Sequence, residues 1–371
     1  MKIVLAIICI SVIYSVYNFI YKKFWSRNLD VDLKFKNDFC ACGEENELVE
    51  VVSNAKILPI SILRVRFFVS KFLDFGDKQN VSVSDQSYKN DIFSIMFFQR
   101  ITRKIKFICK RRGYYNIDRI EIVSYNLFLK TPLTDSRQCS IALTVLPKSV
   151  SSKRLNVLYN SIYGDIVLHQ ANQTDPFEFK GIRNYESFDS IRDINWNASA
   201  RSEELMVNVH GYTSSQKVVL ILNVLADNDF IDDRVIETCI SITAGLCVRF
   251  IKSGIPVGFY TNGYDSAVGG EISIPCAAGE GHVKAIKKAL ARVDIKNAKD
   301  MSSLISDITV LKDTVYVVVS CASKKELVEN AKKLGSKDNK VCFVNVYKKG
   351  EDRRKNSDDT VNMLNWEIES L

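Results

Sequence analysis

The sequence predicts a multidomain chain: an N-terminal transmembrane helix, an all-β sandwich of immunoglobulin-like kind, then a doubly wound α/β sheet. Three observations predict it. Residues Ile3 to Ile20 carry no charge. From about Asp30 to Lys148, short apolar segments alternate with period two between turn residues. From about Ser214, continuous apolar runs alternate with stretches of helical period.

Composition sets the outer bounds. The chain has 371 residues, 46% hydrophobic and 25% charged, which is material for two or three domains with cores. The net charge of +8 is a mild, widely spread excess. It suits an anionic membrane surface and gives little support to nucleic acid, which is not expected as a partner. The 10 cysteines form no CxxC, and only Cys40 and Cys42 stand close together. Most others, such as Cys239 and Cys247, fall inside apolar runs. They read as small buried hydrophobes in a reducing compartment. A Cys40/Cys42 metal or redox pair is the alternative, and with only 3 histidines and no second cysteine pair nearby it is the weaker one.

Residues 1–28 read as a membrane anchor. The uncharged stretch is long enough to cross a bilayer. Lys22, Lys23 and Arg27 follow it, whereas Lys2 and the α-amino group precede it. The positive-inside rule then puts the C-terminal bulk of a single-pass protein of the cell membrane in the cytoplasm. Tyr14, Tyr17, Tyr21 and Trp25 suit an interfacial belt on that side. A cleaved signal peptide is the competing reading. It is disfavoured by a weak n-region and by YKKFWSRN, which offers no small-x-small cleavage site.

Residues 29–150 read as the sandwich. ELVEVVSN, ILPISILRVRFFVS and DRIEIVSYNLFLK are rich in β-branched and aromatic residues and are parted by turn chemistry. The basic run Arg100 to Arg112 has two readings. It can meet lipid headgroups. As a strand, Ile101, Arg103, Ile105, Phe107 and Cys109 share one face and Lys104, Lys106 and Lys110 the other. The strand reading is the default.

Residues 214–348 read as the α/β domain. KVVLILNV (217–224), IPVGFYTN (255–262), DTVYVVVSC (313–321) and KVCFVNVYK (340–348) are strands. Helices fall at Asp232 to Lys252, His282 to about Val293, and 324–335. This order predicts a mostly parallel sheet. GGEISIPCAAGEG (269–281) reads as a mobile loop. The polar tail, 349–371, ends around Trp366, which docks or frays.

Motifs for chemistry are missing. No glycine fingerprint follows the first α/β strand, and there is no GxxxxGK[ST], GxSxG or HExxH. His169, His210 and His282 are isolated, and no carboxylate spacing singles out an acid/base pair. The expectation is a non-enzyme without a cofactor.

Between the two domains, residues 151–213 form a linker region with one dense stretch, Asp175 to Arg201. It reads DPFEFKGIRNYESFDSIRDINWNASAR. This stretch resembles the signature of the bacterial DUF58 proteins, approximately GxRxYxxGDxxRxIDWKxSAR. Gly181, Arg183, Tyr185, Asp189, Arg192, Trp196, Ser199 and Arg201 stand at matching positions. Arg111-Arg112-Gly113 and Val145-Leu146-Pro147 resemble further family segments. Phe188, Asn195 and Asn197 depart from the pattern, as does Ser124 to Phe128 where the family tends to DPFGLF. Relatives often carry two membrane helices, and one is apparent in this sequence.

The resemblance implies an α/β domain similar to von Willebrand factor A domains. Their DxSxS metal motif corresponds to Asn223, Leu225 and Asp227. Leu225 offers no oxygen to Mg²⁺, so no metal is expected, although Asp227, Asp229 and Asp265 remain as acidic residues. Such proteins are commonly encoded beside MoxR-type AAA+ ATPases. The implied function is a non-enzymatic, membrane-anchored adaptor that works with such an ATPase in assembly or maturation of protein complexes. The alternative is a metal-dependent ligand-binding or adhesion module with a degenerate metal site. Within the signature, Arg183, Arg192 and Arg201 have Asp189 and Asp193 as candidate carboxylate partners. Trp196 is a candidate anchor between layers. The cluster either ties domains together or presents a docking face.

Overall fold

The computed structural model describes residues 2–76, 82–83, 86–125, 131–171, 175–187, 189–211, 216–226, 233–295, 297–322, 324–336, 339–348 and 361–368. Two units emerge, Met1–Lys148 and Ser149–Leu371.

The first unit begins with α1 (Lys2–Phe24), a helix long and apolar enough to cross a membrane. Ile3, Leu5, Ile10, Ile13 and Phe19 along it are exposed. The root of the helix differs. Tyr21 and Trp25 are buried in the sandwich core, so these two aromatics are packing residues and not members of an interfacial belt. The physical reason is a set of satisfied polar groups. The Tyr21 hydroxyl donates to the Tyr125 carbonyl at 3.0 Å and meets Ser124 Oγ at 2.9 Å. Lys56 Nζ donates to the carbonyls of Trp25 and Arg27, and Arg137 donates to that of Ser26 at 3.2 Å. Cations at these carbonyls also meet the negative end of the helix dipole. Burial, with help from Arg137, pulls the Lys56 ammonium down to about 8.

The strands of this unit are β1 (Leu29–Phe35), β2 (Phe39–Ala41), β3 (Glu45–Asn54), β4 (Ile60–Ser70), β5 (Leu73–Asp74), β6 (Ser82–Val83), β7 (Gln86–Ile95), β8 (Gln99–Cys109), β9 (Gly113–Tyr125) and β10 (Pro132–Leu146). They form two sheets, β1-β3-β8-β5 and β2-β10-β9-β4-β7-β6. Inward residues from both, among them Leu33, Leu48, Phe107, Phe67, Ile122 and Val145, make one core. The basic run is indeed a strand. In β8, Phe107 and Cys109 are buried, Lys104 and Lys106 are exposed, and Arg103 turns inward. There it bonds Asp91 at 3.1 Å and lies over the Phe93 ring. Asn126, Leu127 and Phe128 of the divergent family segment lie outside the described residues.

The second unit opens with a helix that the period-two and strand-helix patterns did not separate from the linker region, α2 (Lys153–Ala171). Leu155, Leu158, Ile162 and Ile166 recur at helical spacing and enter the core of the α/β sheet. Ser152 Oγ accepts the Leu155 N–H and caps its start. The linker region is therefore not one piece, because α2 belongs to the α/β core. Next come β11 (Asp175–Asn184), α3 (Trp196–Ser202) and β12 (Met206–Gly211), with β11 and β12 paired antiparallel.

The large sheet is built from β13 (Lys217–Asn223), α4 (Asp233–Lys252), β14 (Val257–Asp265), β15 (Glu271–Ala277), α5 (Glu280–Arg292), β16 (Val293–Asp294), α6 (Met301–Asp307), β17 (Thr314–Ser320), α7 (Lys325–Lys332), β18 (Asn339–Lys348) and β19 (Val361–Ile368). Its order is β15-β14-β13-β17-β18-β19, with β16 on β14. From β14 to β19 the strands are parallel. Val218, Leu220 and Leu222 of β13 face a core shared with α2, α4 and α5. Val219 and Ile221 face a second core with α6 and with Ala331 of α7. A strand covered on both faces must be apolar at every position, which is why these runs do not alternate.

The sheet corrects one expectation and decides another. The segment 269–281 is not a mobile loop. Ile272, Ile274 and Cys276 alternate toward the core, making β15 an antiparallel edge strand on β14. The end around Trp366 docks as β19, with Trp366 buried and Arg154 over its ring. Residues 349–360 of the tail lie outside the described residues.

The contact between α2 and α4 yields a prediction. A Cβ at Gly245 of α4 would stand 2.7 Å from Leu155 Cδ2 and 2.8 Å from the Val150 carbonyl oxygen. Alanine gains about 1 kcal/mol of helix propensity, but the overpacking it forces costs about 1–3 kcal/mol. Gly245→Ala should lower the denaturant midpoint of the detergent-solubilised chain. A midpoint raised by the substitution would show that α2 yields without cost.

Candidate functional site

Two places merit attention: the signature module and the crevice at the carboxyl ends of the parallel strands.

In the module, β11 and β12 run side by side with Arg183 opposite Val207 and Asn184 opposite Met206. The Tyr185 N–H donates to Leu205 O at 2.8 Å, and the Asn195 N–H to Met206 O at 2.8 Å. The loop between the strands is folded back by Asp189. Arg183 donates to both its oxygens, Nη1 to Oδ2 at 2.7 Å and Nη2 to Oδ1 at 2.5 Å. Oδ2 also accepts the Glu186 N–H at 2.9 Å. A bidentate fork of this kind fixes direction as well as charge. The Arg183 bond and then the Glu186 N–H hold the Asp189 carboxyl below its ordinary range.

After a 3-10 turn at Ile191–Asp193, Asn195 caps α3. Its Oδ1 accepts the Ala198 N–H at 3.0 Å, and its Nδ2 donates to Asn208 Oδ1 at 2.7 Å. The family-typical aspartate would make the first bond and not the second, which gives this departure a physical sense. Ser199 Oγ donates to Asn195 O and accepts the Met206 N–H, both at 2.8 Å. Asp189, Arg183, Asn195 and Ser199 are thus fastened inside the module.

The remaining signature residues are placed otherwise. Trp196 is 65% exposed and Ile191 is 69% exposed, so Trp196 is not the buried anchor between layers that its size suggested. Its reason is position: it is the first residue of α3, just beyond the cap, on the outer side of a helix with no buried residues. Arg192 and Arg201 are exposed, and no ion pair of either is present among the described residues. Asp189 takes Arg183, while no ion pair joins Asp193 to an arginine among the described residues. Around Gly181 a Cβ would meet nothing within 4 Å, so packing does not demand a glycine there. Phe188 lies outside the described residues.

The crevice lies where the chain order reverses. From β13 the chain crosses to β14 on one side, and later to β17 on the other. In open α/β sheets ligands bind outside the carboxyl ends at this switch point. A cavity of about 250 Å³ sits there, lined by Asn223, Leu225, Asp300, Ser302, Lys324 and Glu326 among others. Its floor is a satisfied amide network. Asn223 Nδ2 donates to Ser320 Oγ at 2.9 Å and to Leu225 O at 3.1 Å. Asn223 Oδ1 accepts from Asn262 Nδ2 at 2.7 Å and from the Leu225 N–H at 3.1 Å.

A divalent cation fits this floor poorly, because the Asn223 oxygen is already saturated and Leu225 has no side-chain oxygen. Asp265 Oδ1 is committed to the N–H groups of Ala267 and Val268. Asp227 and Asp229 lie outside the described residues, and no cluster of metal-ligating side chains occurs among the described ones. His282 Nε2 contacts Val257 O at 2.6 Å, a structural tie. The side chains of His169 and His210 are outside the described set.

Sequence reasoning chose Asn223 and Leu225 but missed Ser320, Asn262 and Lys324. The polar ends of otherwise apolar strands, Ser320 after a run of valines and Asn262 after Thr261, were the available signal.

Comparison with known proteins gives a family match over part of the chain and little more. No curated protein matches the chain. Among solved structures, a CARDB domain from Pyrococcus furiosus is 14% identical, with 32% of this chain and 90% of that one covered, at a TM-score of 0.22. A cohesin module from Clostridium perfringens is 9% identical, with 32% and 96% covered, at a TM-score of 0.23. At such scores the sandwich stands on its own strand pairing. The family model described as "Protein of unknown function DUF58" matches residues 181–355, starting at the first glycine of the signature, and this supports a DUF58 protein.

Proposed function

We propose that this protein is a non-enzymatic, membrane-anchored adaptor whose signature module docks a MoxR-type AAA+ ATPase. The single observation that carries the reading is the division within the signature. Arg183, Asp189, Asn195 and Ser199 bond one another or the module's backbone, whereas Trp196, Arg192 and Arg201 face outward. Trp and Arg are the residue types that anchor protein interfaces, and among the described residues no ion pair ties these two arginines inward. Open space at Gly181 adds to this, since a partner's backbone can approach there. The choice of an AAA+ ATPase rests on the family resemblance. So does the similarity of the α/β domain to von Willebrand factor A domains. The apolar face of α1 and the cations Lys22, Lys23 and Arg27 support a single-pass anchor with the bulk in the cytoplasm.

The test is capture of a purified MoxR-type ATPase from the same organism by the detergent-solubilised full chain. Trp196→Ala should weaken capture by roughly 30-fold or more, the effect of losing about 2 kcal/mol at a hot spot. Its thermal midpoint should hold, because alanine is a better helix former at that exposed position. Asp189→Ala should lose both capture and module stability. Undiminished capture by both Trp196→Ala and Arg192→Ala would sink the docking reading.

A further inference from the structure

We propose that Cys40 and Cys109 form a reversible disulfide that straps the two sheets of the sandwich together in response to hydrogen peroxide. Their Sγ atoms lie 3.0 Å apart, and both residues are buried. They come from different sheets. Cys40 is in β2, paired to Val145 of β10, and Cys109 ends β8, paired to Leu73 of β5. The backbones are already joined beside them: Gly43 N–H donates to Cys109 O at 2.7 Å, and Cys109 N–H to Glu44 O at 3.1 Å. The cross-link therefore closes a contact that exists and needs no large movement.

The other two thiols of the sandwich are engaged elsewhere. Cys42 Sγ donates to Lys110 O at 3.2 Å, and Cys139 Sγ to Ile117 O at 3.1 Å. So the partner of Cys40 is not its sequence neighbour Cys42 but a residue 69 positions away. The thiol bond between them lowers Cys40, and that same bond, then burial, raises Cys109. Cys40 is also the less deeply buried of the two, 7% exposed against 0%, and is the nucleophile, with Cys109 the resolving thiol.

The chemistry balances with a peroxide, a reagent small enough to reach a buried pair. Cys40 Sγ attacks one peroxide oxygen, the S–O bond forms, the O–O bond breaks, and the leaving oxygen departs as water with the Cys40 proton. Cys109 Sγ then attacks the sulfenic sulfur, the S–S bond forms, the S–O bond breaks, and hydroxide leaves as water with the Cys109 proton. Two thiols are oxidised and one peroxide becomes two waters. A dithiol reductant reverses the step.

The experiment treats the full chain in detergent with hydrogen peroxide, blocks free thiols, and maps disulfide-linked peptides. The expected product joins the Cys40 and Cys109 peptides, disappears with dithiothreitol, and persists in Cys42→Ser. Closing so long a loop should raise the thermal midpoint of the sandwich by about 5 °C or more. Neither Cys40→Ser nor Cys109→Ser should show the shift. A Cys40–Cys42 link, oxidation of Cys40 to sulfinic acid without a link, or both thiols still free after treatment would each overturn the proposal.

Discussion

Glu50→Gln should raise the melting temperature of the sandwich at neutral and mildly alkaline pH and flatten its pH dependence. Glu50 is 0% exposed on β3, directly opposite Arg103 of β8. Asp91 and Lys89 reach the same interior point from β7 of the other sheet. Arg103 is spent on Asp91 and on the Ile92 carbonyl, and neither Glu50 oxygen receives a donor from another group. Burial, and then the neighbouring Asp91, push the Glu50 carboxyl from 4.5 up to about 8. It is held as the neutral acid, whose own proton can bridge to Asp91.

The sign follows from proton counting. Below pH 4.5 both states carry the proton and Glu50 costs nothing. Between there and pH 8 the unfolded chain releases a proton that the folded chain keeps, so stability falls as pH rises. At about 1.4 kcal/mol per pH unit, the accumulated cost is on the order of 3 kcal/mol at pH 7. Glutamine keeps the shape and supplies an N–H to Asp91 without this release. The gain, roughly 5–10 °C for a unit of this size, should vanish at pH 4. Thermal scans of both proteins across that range decide it. Parallel curves would mean that Glu50 is ionised in the folded chain.

That cluster shows what the sequence discloses and what it withholds. The alternation Leu48, Glu50, Val52 already turns Glu50 inward, yet nothing in it says which charges come from the facing sheet. The parallel strands were legible because burial on both faces leaves runs such as Val315 to Val319 without a polar break. Edge strand β15 was not, because Pro275 within it and the glycines on either side of it resemble loop composition and half of it meets water. Helix α2 carried a readable spacing, Leu155, Leu158, Ile162 and Ile166, hidden among polar residues in a stretch taken for a linker. The signature was legible as a family mark but not as a division of labour. Arg and Trp serve interiors and interfaces alike, and only exposure separates Arg183, bound to Asp189, from Arg192 and Trp196.

Asn223→Asp tests whether the crevice is an impaired metal site or a different kind of floor. The substitution restores the acidic residue of the related metal motif with little change in shape. It also removes both donors of a side chain that is 0% exposed. The new carboxylate oxygen would face the Leu225 carbonyl where an N–H now donates at 3.1 Å, and the bond to Ser320 Oγ would lose its donor. Stability of the α/β unit should drop by about 3 kcal/mol at pH 7, the cost of a buried charge left among acceptors. The folded state resists ionising this aspartate, so its pKa rises above the unfolded value near 3.9. The penalty therefore grows as pH climbs past that value and shrinks in acid, where the protonated form regains one donor. Millimolar Mg²⁺ should not rescue the variant, because Leu225 adds no oxygen beside it. If Mg²⁺ restored the midpoint of Asn223→Asp, or raised that of the native chain, the metal-dependent reading would displace the amide floor described above.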